Sequence, residues 1–102
     1  MEAVLSNLQQ LITEERARIE ALDSTLDAGR TPYLKNQLRH AAHLLDDAND
    51  ALRMEAHAAS NHKGVWIGFA GTLLQAATQL RLKVHELVDT YGGPANVVEI
   101  GG

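Results

Sequence analysis

Five histidines stand out first: His40, His43, His57, His62 and His85. His40 and His43 are three residues apart, with Asp47 one turn beyond. In a helix these three project to one face, the spacing at which two imidazoles and a carboxylate can share a metal ion. That face lies opposite a leucine-alanine stripe, so solvated side chains are the simpler expectation. No metal site and no cofactor is assigned. Arg-x-x-x-His recurs at Arg39/His43, Arg53/His57 and Arg81/His85. Helical ribonucleases of the HEPN class are similar in small size and helical character. Their arginine and histidine stand further apart in sequence, so the motif is not met.

The carboxylates divide into two kinds. Asp46, Asp47 and Asp50 sit off the apolar stripe and read as a solvated acidic patch. Glu15 instead falls on the apolar arc between Leu11 and Leu22. A carboxylate there must be paired or reach the rim, because burying an unpaired charge is costly. Arg81 or His85 is the expected partner, within the chain or across a dimer. No P-loop, dinucleotide fingerprint or nucleophile elbow occurs. The sequence therefore carries no catalytic constellation, and a non-enzymatic protein is expected.

The elements that would hold these residues are helices. Asp27-Ala28-Gly29-Arg30-Thr31-Pro32 is the strongest break: Gly29 suits the position past a helix end, Thr31 a cap and Pro32 a first turn. Ser60-Asn61-His62-Lys63-Gly64 is the second, and Gly92-Gly93-Pro94 stops the last helix. The spacing predicts helices over about 2–27, 32–60 and 63–91. Short linkers make successive helices antiparallel, giving an all-α, three-helix antiparallel bundle over 1–93 with a short extended C-terminal tail over 94–102. The first stripe is Val4, Leu8, Leu11, Ile12, Ile19, Leu22 and Leu26. The second is Leu34, Leu38, Ala41, Leu45, Ala48, Leu52, Ala56 and Ala59. Its alanines allow a close helix neighbour.

The third helix is more apolar. Val65, Phe69, Leu73, Ala76, Leu80 and Leu87 make one stripe; Ile67, Ala70, Leu74, Ala77 and Val88 make another; Trp66 and Val84 lie between. The arc is roughly 200° wide, where one core needs about 100° or somewhat more. The surplus predicts an apolar surface patch, the usual mark of an interaction site. Gly64, Gly68 and Gly71 on its first turns suggest either close backbone contact or an irregular start.

Composition sets the outer bounds. The chain has 102 residues, no cysteine and a net charge of -4. One domain fits, and disulfides or thiolate metal sites are excluded. The acidic balance argues against nucleic acid as partner. No stretch reaches the roughly 20 apolar residues that span a bilayer. With no basic and then apolar start at Met1, a cytoplasmic protein is expected. The expected function is a small regulator that self-associates, as a homodimer, and binds another protein, as antiactivators, inhibitors and neutralising proteins do. Val65, Trp66, Ile67, Phe69, Ala70, Leu73 and Leu74 are the expected interface. The alternatives are a histidine-dependent metal or ribonuclease-like protein, and a structural subunit of a larger helical assembly.

Overall fold

The computed structural model describes residues 2–26, 32–59 and 63–90. Three helices pack against each other as a bundle: α1 (Glu2–Ser24), α2 (Pro32–His57) and α3 (Val65–Thr90). Among the described residues there is no strand, and no helix is long and apolar enough to cross a membrane. The Gly29 and Thr31 caps, the Gly92-Gly93-Pro94 stop and the tail over 94–102 lie outside the described residues.

Each helix buries a row with alternating three- and four-residue steps. In α2 the row is Leu34, Leu38, Ala41, Leu45, Ala48, Leu52 and Glu55. In α1 it is Leu5, Leu8, Ile12, Glu15, Ile19 and Leu22, continued by Leu26 just past the helix end. In α3 it centres on Ala70, Ala77 and Val84, with Trp66, Leu73, Leu74, Leu80 and Val88 packed alongside. A seven-residue repeat keeps such a seam facing its neighbours when helices wind gently around one another in the left-handed sense.

The helices are not equally joined. α2 and α3 form the most intimate pair, and α1 lies less closely against both. Side-chain size explains this. Ala41, Ala48, Ala51, Ala70 and Ala77 fill the seam between α2 and α3, so those backbones approach closely. α1 presents Ile12, Ile19 and leucines instead, which hold it further away. Ion pairs set its register on α2. Arg16 meets Asp46 at 2.6 Å, and Lys35 meets the Asp23 carboxylate at 3.2 Å while donating to the Asp23 carbonyl at 3.0 Å.

Several stripe assignments change. Val4 and Leu11 are exposed, because the α1 seam runs through Leu5, Leu8 and Ile12 beside them. Ala56 and Ala59 are exposed, and Glu55 takes the next seam position after Leu52. Gly68 and Gly71 make no close backbone contact: a Cβ on either would meet nothing within 4 Å. Gly64 has φ +94°, a conformation that suits only glycine well. It is the irregular start of α3, and its carbonyl accepts the first helical bond from Gly68 N–H at 3.1 Å.

Candidate interaction surface

Among the described residues two carboxylates are buried in the bundle, and both accept hydrogen bonds. Glu15 is 2% exposed. Thr78 donates its hydroxyl to Glu15 Oε1 at 3.0 Å, and the Arg81 guanidinium Nε–H donates to Oε2. Arg18, one turn along α1, lies 3.7 Å from Oε1. The cluster is built by register: Thr78 and Arg81 share the flank of α3 that faces α1. His85 takes no part, because it points away from the seam and pairs with Asp89 at 3.1 Å. The polar cluster fixes how α1 is aligned on α3, since any slip would strand a buried charge.

Glu55 is 0% exposed. Both its oxygens accept from the Gly64 N–H at 3.0 Å, and Lys63 Nζ closes over the Glu55 carbonyl at 3.0 Å. The carboxylate thus sits at the start of α3, where the helix dipole favours negative charge. Residue-by-residue reading passed over Glu55. The signal that finds it is the alternating spacing of α2, which steps from Leu52 to Glu55 and not to Ala56. Among the described residues no buried side-chain nitrogen or oxygen lacks a partner.

The chemistry-bearing residues elsewhere do not converge. His40, His43, His57 and His85 are exposed, and His62 lies outside the described residues. Among the described residues no three histidines or carboxylates are placed to hold a metal ion. An open cleft of about 240 Å³ between α1 and α2 is lined by Glu20, Asp23, Lys35 and Arg39 together with Ile19, Leu38 and Ala42. It is smaller than a typical small-molecule pocket of about 300 Å³ or more, and the Lys35–Asp23 pair lies across it.

The structure divides the seven expected interface residues of α3 into three groups. Ala70 is fully buried at the centre of the seam, so it is core. Ile67 and Leu74 share a seven-residue row with Arg81, and that row faces α1. Leu74 is half-buried against the core; Ile67 stays half-exposed because it is level with the first residues of α1. Val65, Trp66, Phe69 and Leu73 lie on the other flank. Val65 is 62% exposed and Phe69 54%. Trp66 and Leu73 are half-buried and pack on the core. The Trp66 and Phe69 rings meet edge to face with centroids 6.3 Å apart. Met54, at the adjoining end of α2, is also exposed. No family model, curated protein or solved structure matches the chain.

Proposed function

We propose that this chain is a non-enzymatic protein–protein interaction module, which self-associates and in that form binds and restrains another protein. The observation that carries the reading is the Val65–Phe69 flank of α3. Two large apolar side chains stand in solvent there, braced by the half-buried Trp66. An aromatic held rigidly by its neighbour loses little entropy on binding, and such residues anchor interfaces. The buried ion cluster supports the same reading. It lies on the flank of α3 that faces α1, where it fixes the alignment of the bundle, and both its carboxylate oxygens are engaged within the chain.

Phe69→Lys tests this. The side chain is mostly exposed, so the variant keeps its helical circular dichroism. Light scattering is expected to give a dimer for the wild type and a monomer for the variant. Capture from the native host should retain a bound protein with wild type and lose it with Phe69→Lys. A folded variant that keeps both its mass and its bound protein overturns the assignment. Leu74→Glu is unsuited to this test, because it strikes the seam with α1.

A further inference from the structure

The α2–α3 pair has two sides, and α1 covers only one. On the covered side Lys35, Ala42 and Asn49 of α2 and Gly71 and Thr78 of α3 are half-buried. The mirror positions on the other side are exposed throughout: Tyr33, His40, Asp47 and Met54 on α2, and Phe69, Ala76 and Lys83 on α3. Each set is a row at seven-residue spacing. Between the rows the floor is mainly apolar, with Leu44 and Ala51 from α2 and Leu73 and Leu80 from α3 packed into the core, and half-buried Gln37 at its end.

We infer that a second copy of this chain docks on that uncovered side, with the two α2–α3 pairs antiparallel about a two-fold axis. This rests on the self-association proposed above and specifies its geometry. A two-fold interface must be self-complementary: if one residue meets another, the converse contact also occurs. The α2 row meets this condition. Its midpoint falls between His43 and Leu44, so antiparallel pairing sets Tyr33 on the partner's Met54 and His40 on the partner's Asp47. The first is a sulfur–aromatic contact and the second a polar pair of matching chemistry. Neither His40 nor Asp47 has an ion-pair partner in its own chain among the described residues, unlike Asp46, Asp50 and Asp89.

The α3 row satisfies the same axis independently. Its midpoint is Ala76, so Ala76 meets the partner's Ala76, where a small side chain permits close approach. Phe69 then lies against the stem and ammonium of the partner's Lys83, an arrangement in which the ring faces a cation. The two midpoints coincide in space. Glu55 of α2 sits against Gly64 of α3. Stepping about twelve residues back along α2 and forward along α3 brings the His43–Leu44 midpoint level with Ala76. One axis therefore serves both rows.

The absence of cysteine from the chain makes a direct test simple. Ala76→Cys should form an intermolecular disulfide in high yield under mild oxidation. Gln75→Cys, on the outer surface of α3, should not. His40→Asp should weaken dimerisation about tenfold or more by setting like charges opposite each other. The swapped double variant, His40→Asp with Asp47→His, should regain wild-type association. Circular dichroism checks that each variant keeps its helices. A dimer that ignores the His40→Asp change and does not cross-link through Ala76→Cys overturns this arrangement and leaves self-association standing. A wild-type chain that stays monomeric at hundreds of micromolar overturns both.

Discussion

Glu15 shows how one residue in the wrong class constrains a fold. Placed on an apolar stripe, it requires a cationic partner, and in the bundle Arg81 and Thr78 supply its bonds. Removing one partner leaves the other buried and unpaired, at a cost of about 3–5 kcal/mol. Glu15→Ala is therefore expected to lower unfolding free energy by about 3 kcal/mol in urea titration. Glu15→Leu combined with Arg81→Met should recover most of that loss or exceed wild-type stability, because an apolar pair of similar volume carries no desolvation cost. A double variant as unstable as the single one would show that the pair itself contributes net stability. The choice of Arg81 over His85 was not legible in the sequence. Both lie within reach of the same arc, and only the position of α1 decides which faces it.

The glycines of α3 separate in the same way by what surrounds them. Gly64 has a left-handed backbone and offers its N–H to Glu55. Gly64→Ala is expected to cost about 1–2 kcal/mol, since an L side chain strains that conformation. Gly68 and Gly71 are ordinary helical residues with open space where a Cβ would stand. Alanine at either should stabilise the isolated chain by about 0.5–1 kcal/mol through helix propensity. Thermal unfolding of the three variants checks both signs.

Among the helices, α2 and α3 act as one unit and α1 as an added one. Close alanine packing joins the first two, and the Glu55–Gly64 contact locks their shared end. α1 is held by Ile12, Ile19, a few leucines, the bonds of Glu15 to Thr78 and Arg81, which water can replace when the helix lifts away, and the Arg16 and Lys35 ion pairs. Its first turns leave Val4 and Leu11 exposed. The Arg16 and Lys35 pairs are open to solvent on their carboxylate side, and such pairs contribute about 1 kcal/mol at most, so they do not make up the difference. Hydrogen exchange is expected to reveal α1 opening first, with amides near Ile12 and Ile19 losing protection before those near Leu45 and Ala77. Equal protection across all three helices would mean that the bundle opens only as a whole. The three helices and their approximate limits were legible because α2 keeps an almost unbroken stripe and because Gly29 and Pro32 mark a break. Glu55 was not, since a charged residue is read as a surface residue unless its spacing is followed strictly.

In the assembled bundle, the helix with the most apolar surface is also the one packed most closely on a neighbour. The residues alone determined that α3 carries more apolar arc than one small core encloses, that the chain is all-helical, and that Glu15 must find a partner. Periodicity shows which side chains share a face, but not which face meets another helix. Tertiary packing decided that Ala70, Ala77 and Val84 form the core of α3, and that Val65 and Phe69 are left in solvent. The reason is geometric. A helix wedged between two others is covered over the sector between them, and α1 closes only one side of the α2–α3 pair. The position of α1 follows from where Glu15 finds Arg81 and where Arg16 finds Asp46, contacts that join residues distant in the chain. The uncovered side, with its two seven-residue rows, exists only once those contacts have been made.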